Sequence, residues 1–276
     1  MTGHLHFRPA TTASLEELAE QFNAAFAGYF YPQQVTAALL SRRLRDRQID
    51  LQSSLLAFEG EKFAGLALLA LRGSEGWCGG FGIVPEFRGR GRARELMAEF
   101  VTRARECGVK RLSLEVLTRN TAARRLYERA GLKVTRDLLI LKRPPDLRGP
   151  QQAGELKEVE PPLLLRHFVR LHTVRPSWQR DLASLLGADN VRGLCLGEAS
   201  APDAYALFVV RPGGRTIVID LAACDEESAN ALCEGVCGME GTLELVNEPE
   251  GSPFVAALLS RGFLETDRQH EMACEL

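Results

Sequence analysis

Gly80-Phe81-Gly82-Ile83-Val84-Pro85-Glu86-Phe87-Arg88-Gly89-Arg90-Gly91-Arg92-Ala93-Arg94 passes from a glycine-rich extended run into a basic turn. Directly after it Ala93, Leu96, Met97, Phe100, Val101 and Ala104 recur at three- and four-residue intervals, which predicts a helix with one buried stripe, stopped by Gly108. In that context the turn is a phosphate cradle. The first N–H groups of a helix lack intrahelical partners and lie at the positive end of its dipole, and Gly89 and Gly91 bring no side chain to hold an anion off. Arg88, Arg90, Arg92 and Arg94 supply cations suited to a pyrophosphate and to a further phosphate on a ribose. No Lys-Ser or Lys-Thr follows the second glycine and the third glycine of the dinucleotide fingerprint is missing, so neither of those nucleotide loops fits. The competing reading of the turn by itself is a solvated basic surface.

Outward from the turn, the pattern alternates strand and helix. Upstream, His4 to Pro9 reads as a strand, and Ser14 with Glu17 forms a capping box for a helix to about Ala27. A second helix follows Pro32, Ser53–Glu59 and Lys62–Arg72 form an antiparallel hairpin around Gly60-Glu61, and Trp77 to Val84 is a further strand. Downstream, Leu112, Leu114 and Val116 alternate with Ser113 and Glu115 as a strand, Ala123, Leu126, Tyr127 and Ala130 mark a helix, and a last strand runs through Leu138 to Leu141.

These residues resemble the GNAT superfamily of N-acetyltransferases. Its loop reads Gln/Arg-x-x-Gly-x-Gly/Ala at the end of a strand, matched here by Arg88, Gly91 and Ala93. The likeness extends through Gly80 to Pro85 before the loop and through Leu114-Glu115-Val116, Asn120, Ala123, Leu126-Tyr127 and Gly131-Leu132 after it; Leu132 stands where the family usually has Phe. The motifs are specific over about Trp77 to Val134.

The resemblance implies a mixed α/β (α+β) fold whose central sheet, flanked by helices, splays open between the strand ending at Val84 and the strand Leu112 to Leu117. It implies acetyl-CoA as cofactor and coenzyme A as product, with the phosphates on Arg88 to Arg94 and the pantetheine arm on backbone groups near Phe81 and Ile83. Asn120 would contact the cofactor and Tyr127, on the same helix face, would protonate the leaving thiolate. Glu115 precedes Tyr127 by the spacing seen in members similar to the ribosomal-protein N-terminal acetyltransferases, where the glutamate deprotonates the incoming ammonium; the competing role for a strand carboxylate is pairing with a neighbouring arginine. The implied reaction is direct attack of a primary amine on the thioester within a ternary complex. Phe26, Tyr29, Phe30 and Tyr31 fall where the family lines its acceptor site, although four aromatics there could equally anchor the turn. Trp77 and Asp50 are weaker acceptor candidates. The acceptor itself, a small molecule or a peptide N-terminus, is not named by these residues. The rival function is a non-catalytic module that senses acetyl-CoA or holds a partner.

Beyond Arg143 the chain changes character. Pro144-Pro145, Gly149-Pro150, Gly154 and Pro161-Pro162 predict a linker over 148–160 in which neither helix nor sheet persists, dividing a catalytic domain at 1–147 from a second domain at 161–276. An offset of 131 residues lays Gly131-Leu132 on Gly262-Phe263, each just after a helix that follows a strand, so the second half reads as a repeat. The same register puts Val246 at Glu115, Gly251 at Asn120 and Leu258 at Tyr127, and no glycine lies between Gly214 and Gly235, so the second GNAT-like domain is expected to be degenerate, without a cofactor loop.

Composition sets outer bounds. The chain has 276 residues, with 34 basic against 36 acidic side chains and a net charge of −2, so no global field favours nucleic acid or an anionic membrane. No apolar run approaches the ~20 residues of a spanning helix and the N-terminus lacks the plan of a signal peptide. Seven scattered cysteines argue for a reducing, cytoplasmic setting without a disulfide framework, and Cys233 with Cys237 lacks the second pair that a zinc site needs. Monomer and homodimer both remain open.

Overall fold

Ser14 accepts a hydrogen bond from the Glu17 N–H at 3.2 Å while the Glu17 carboxylate accepts from the Ser14 N–H at 2.8 Å, the capping box that the sequence predicts. The computed structural model describes residues 4–32, 34–145 and 156–276. The chain forms two units, Met1–Thr135 with Glu271–Leu276, and Arg136–His270.

In the first unit β1 (His6–Pro9) leads to α1 (Leu15–Ala25), α2 (Ala37–Asp46), β2 (Ile49–Glu59), β3 (Lys62–Arg72), β4 (Glu75–Ile83), α3 (Arg92–Glu106), β5 (Arg111–Leu117), α4 (Thr121–Arg129) and the start of β6 (Lys133–Arg143). The sheet order is β1-β2-β3-β4-β5, antiparallel up to β4 and parallel between β4 and β5. Leu18, Leu66, Leu96, Phe100 and Leu112 fill the core with at most 1% exposure each, and each such side chain contributes roughly 1.5–3 kcal/mol.

The second unit repeats this order: β7 (Lys157–Glu158), α5 (Pro161–Leu165), α6 (Phe168–Leu171), α7 (Leu182–Gly187), β8 (Arg192–Glu198), β9 (Ala201–Arg211), β10 (Arg215–Ala223), α8 (Glu226–Cys237), β11 (Thr242–Pro249), α9 (Phe254–Ser260) and most of β12 (Leu264–Glu275). As between β4 and β5, the β10 and β11 strands are parallel, joined by a helix.

The division differs from the one expected at 147. The strand through Leu138 to Leu141 pairs with β11 and belongs to the second unit, whereas Met272 of the last strand is buried in the core of the first. Each unit therefore takes part of its sheet from the far end of the other half of the sequence, which proline and glycine counts do not reveal. Residues 148–155 of the expected linker lie outside the described residues, and Lys157–Glu158 within its remainder pairs with β8 as β7. Among the described residues no helix is long and apolar enough to cross a membrane, and no group of three or more His, Cys, Asp or Glu is placed to hold a metal ion. Cys233 and Cys237 are buried and burial pushes both thiols up.

Candidate active site

The parallel ladder between β4 and β5 covers only Glu75–Trp77 against Arg111–Ser113, and beyond it the strands part. The parting begins at a bulge. Leu68 faces Gly80 and Leu69 faces Cys78 across the β3 ladder, so Gly79 is the extra residue. A Cβ on Gly79 would come within 2.8 Å of Ile49 and Trp77 side-chain carbons, and one on Gly82 within 2.9 Å of the Ala25 Cβ. The glycine run therefore lets β4 bend against its neighbours and α1.

One inserted residue also switches which face later side chains occupy. Without it Trp77 and Phe81 would share a face; with it they diverge. The Trp77 indole N–H donates to the Glu115 carboxylate at 2.8 Å, whereas the Phe81 ring meets Tyr127 edge-on with centroids 6.0 Å apart. Glu115 is out of phase with the buried Leu112, Leu114 and Val116, as its strand alternation requires. The two proposed catalytic side chains thus flank the gap from opposite sides of β4.

Tyr127 is 7% exposed. Burial raises its phenol well above the usual tyrosine range, with Cys78 and Tyr29 adding to the shift. Cys78 borders the same gap, and burial pushes its thiol up to about 12. Arg47, the residue closing α2, lies over the Trp77 ring at 5.8 Å and interacts electrostatically with Glu115. Burial, with the like charge of Arg43, lowers the Arg47 guanidinium to about 10, against the pull of Glu115 and Asp46. Trp77, expected as an acceptor contact, is 2% exposed and is instead the hydrogen-bond donor that orients Glu115. Asp50 is likewise engaged, accepting the Ser53 N–H at 2.6 Å.

At the other end of the gap α3 begins at Gly91 with φ +81° and no side-chain cap. Gly89 takes φ +74°, and a Cβ on either glycine would meet nothing within 4 Å, so here glycine serves the left-handed backbone. Two of the four arginines have other work. Arg88 donates from Nε to the Ile83 carbonyl at 2.8 Å and from Nη2 to the carbonyls of Ala25 and Ala27 at 3.1 and 2.8 Å, tying the loop to the end of α1. Arg92 is 5% exposed and pairs with Glu59 and Glu95, each at 2.7 Å, which fixes the first turn of α3. Arg90 and Arg94 are exposed beside the turn, and Ala93 is half-buried. Among the backbone groups near Phe81 and Ile83 expected to bond the pantetheine arm, the Ile83 carbonyl already accepts from Arg88. Asn120 caps α4 by accepting the Ala123 N–H at 3.2 Å, a structural role for that side chain.

The aromatic turn after α1 packs on itself: Phe26 stacks on Phe22 at 4.5 Å and meets Tyr29 edge-on at 5.4 Å, and Tyr29 meets Phe30 at 5.4 Å. Arg119, next to Asn120, lies over Phe30 at 4.8 Å and over Tyr31 at 5.4 Å. Tyr29, near enough to Tyr127 to shift it, joins this turn to the gap.

Residues 15–132 match the Acetyltransferase (GNAT) family. The chain carries a GNAT-family acetyltransferase domain. Over 63 residues it is 38% identical to the uncharacterized N-acetyltransferase YycN of Bacillus subtilis, a match covering 23% of this chain and 40% of that relative's length. At the level of fold the whole chain is similar to a GCN5-related N-acetyltransferase from Sphaerobacter thermophilus (TM-score 0.72, 15% identity, 98% of this chain and 95% of that one). It is similar also to a tandem GNAT protein from the clavulanic acid biosynthesis pathway (TM-score 0.70, 16% identity, 99% and 98%).

With the GNAT fold repeated, the second unit offers an internal comparison. Its strand-to-helix connection is residues 224–225, where the GNAT domain has residues 84–91. Asp225 caps α8, its carboxylate accepting the Ser228 N–H at 2.8 Å, so the chain's own anion holds the helix start that Gly91 leaves uncapped in α3. Where β10 and β11 part after Val218 and Leu245, an ionic cluster stands in the gap. Arg180 pairs with Glu248, lies 3.7 Å from Asp220 and donates to the Ile219 carbonyl at 3.2 Å; Tyr205 and His172 reach Asp220 at 2.9 and 3.2 Å.

This cluster has a pH signature. Burial works against a charged His172, but its hydrogen bond to Asp220 and that carboxylate's charge outweigh burial and raise its pKa. A raised folded pKa gives stability that is full below the unfolded value of about 6.5 and is lost as pH climbs through the folded value. Urea unfolding of the second unit is expected to show a lower midpoint at pH 8.5 than at pH 6, with the difference reduced in His172→Gln; an equal loss in both proteins would assign it elsewhere.

The sequence did not single out Arg43, Arg47 and Arg119. The available signal was the i, i+4 spacing of Arg43 and Arg47 at the end of a helix, which places both on one face.

Proposed function

We propose that the chain is an acetyl-CoA-dependent N-acetyltransferase that moves the acetyl group to a primary amine by direct attack, with one active site per chain, in the GNAT domain. The observation that carries this reading is the uncapped N-terminus of α3 at Gly91, opening beside the gap between β4 and β5, in the one unit that also has Glu115 and Tyr127. Backbone N–H groups at Gly91 to Ala93, with Arg90 and Arg94, would hold the phosphates. The edge of β4 beyond Trp77, with its Phe81 backbone, would receive the pantetheine arm as an added strand, and an N–H there would stabilise the oxyanion, a contribution on the order of 3 kcal/mol per donor.

Glu115, held by Trp77, accepts the proton of the incoming ammonium, and Tyr127 donates one to the departing thiolate. The freed nitrogen lone pair forms the carbon–nitrogen bond and the carbon–sulfur bond breaks; the nitrogen's second proton, acidic once that bond has formed, passes to the Tyr127 phenolate and Glu115 gives its proton to solvent, so the products are the amide, the coenzyme A thiol and one released proton, without an enzyme-bound acyl group. A Cys78 nucleophile is disfavoured: with its thiol at about 12, the thiolate is scarce at neutral pH. The second unit serves as a structural partner without cofactor, its helix start capped by Asp225 and its gap filled by Arg180. Seven scattered cysteines suit a reducing, cytoplasmic setting.

The test is thiol release from acetyl-CoA across a panel of amines, with calorimetric titration of coenzyme A. Release that needs both substrates, with one coenzyme A bound per chain, is expected. Cofactor binding with no release for any amine would favour the sensing module, and two bound per chain would overturn the single site.

A further inference from the structure

Arg88 opens the loop that reads as a phosphate cradle, yet its side chain is engaged elsewhere. Nε donates to the Ile83 carbonyl at 2.8 Å, and Nη2 donates to the carbonyls of Ala25 and Ala27 at 3.1 and 2.8 Å. Nη1 is the nearest atom to a Cβ built on Gly28, at 4.0 Å. A guanidinium has five N–H groups, and three of them are committed to carbonyls here. Among the described residues no carboxylate pairs with Arg88. The last carbonyls of a helix lack intrahelical partners and lie at the negative end of its dipole, so the end of α1 is itself a seat for this cation. A phosphate would have to draw Arg88 off these acceptors.

What Arg88 fastens is the aromatic turn. Ala25 ends α1, and Ala27 follows Phe26, whose ring stacks on Phe22 at 4.5 Å and meets Tyr29 edge-on at 5.4 Å; the Tyr29 N–H donates to the Phe26 carbonyl at 3.0 Å. This turn borders the gap from both strands. On the β4 side, a Cβ on Gly82 would come within 2.9 Å of the Ala25 Cβ and 3.0 Å of its carbonyl oxygen. On the β5 side, Arg119 lies over Phe30 at 4.8 Å and over Tyr31 at 5.4 Å, and Tyr29 interacts with Tyr127. The far end of the segment is closed separately: the Asn23 side chain donates to the Val35 carbonyl at 2.9 Å and accepts the Val35 N–H at 2.8 Å. An amine that reaches Tyr127 past these aromatics meets a surface whose β4 side is set by Arg88.

We infer that Arg88 is a positioning residue for the amine: it holds the aromatic turn against β4, where the amine passes, and does not hold the cofactor's phosphates. This rests on the acyl-transfer reading above and deepens it by one residue on the acceptor side.

The experiment compares Arg88→Met and Arg88→Lys with the parent, as full-length proteins, by three readouts: hydrogen exchange at the Ala27 and Tyr29 amides, calorimetric Kd for coenzyme A, and kcat and KM for an amine that the thiol-release panel accepts. Arg88→Met is expected to speed exchange at both amides at least tenfold and to raise the amine KM at least tenfold, by more than any fall in kcat, while the Kd for coenzyme A stays within about threefold. Arg88→Lys is expected to recover part of the protection and of the KM, because an ammonium still donates to carbonyls. Should Arg88→Met fail to fold, Arg88→Lys carries the same comparison with smaller changes of the same sign. A Kd for coenzyme A weakened tenfold or more would make Arg88 a phosphate residue and overturn the proposal. Unchanged exchange, or an unchanged amine KM, would overturn it too. Absence of thiol release with every amine would instead strike the acyl-transfer reading, and exchange together with the coenzyme A titration would still decide whether Arg88 braces the turn or holds phosphate.

Discussion

Tyr127→Phe is expected to lower kcat for thiol release by roughly 10²- to 10⁴-fold, the usual contribution of a positioned general acid, while leaving the Kd for acetyl-CoA within about threefold. The substitution keeps the ring that packs on Phe81 and removes only the hydroxyl. Stopped-flow detection of the free thiol alongside cofactor titration separates the two quantities. A variant with unchanged kcat would remove Tyr127 from the reaction, and one with unchanged kcat but weakened cofactor binding would make it a binding residue.

The objection to a tyrosine acid is thermodynamic. A phenol raised well above 10 by burial is a poor donor to a thiolate whose conjugate acid has an ordinary pKa of about 8.5. Cys78 answers it from inside the same gap. Burial takes that thiol up to about 12, so a coenzyme A thiolate formed beside it would lose the same solvation and become a correspondingly stronger base. What governs the transfer is the difference between donor and acceptor, and desolvation raises both. The raised value also keeps Tyr127 protonated throughout the neutral range, so the rate should show no loss from its ionisation below pH 9.

The GNAT domain was legible in the sequence where local chemistry and periodicity agreed. The loop from Arg88 to Ala93, the capping box at Ser14 and the alternation around Glu115 each have a short-range cause and each appears where expected. The arginine roles did not follow, because they depend on partners distant in sequence: Arg88 finds the end of α1 and Arg92 finds Glu59 on β2, so two residues of a basic turn became struts. Trp77 was misplaced for a related reason. Its face is decided by the bulge at Gly79, and a bulge inside a glycine run has no distinctive spacing. The unit boundary was hidden because it falls inside β6 and β12, where no change of composition marks it.

Breaking the ionic cluster in the second unit is expected to have the largest effect on stability. Glu248→Leu leaves Arg180, 5% exposed, with the Ile219 carbonyl at 3.2 Å and the more distant Asp220 carboxylate at 3.7 Å, and a buried charge stripped of its main partner costs on the order of 3–5 kcal/mol. Urea unfolding followed by a probe in that unit should register the loss, and a loss below about 1 kcal/mol would show that the pair is not what holds the gap closed. Arg180→Met combined with Glu248→Leu should recover most of it, since two apolar side chains fill the space without an orphaned charge. The recovered protein then separates two reasons for a missing cofactor site. If Arg180 alone excluded acetyl-CoA, the double variant would bind a second coenzyme A per chain. It is expected to bind only one, because Asp225 still caps α8 and the connection at residues 224–225 still lacks the turn that Gly89 and Gly91 form in the GNAT domain.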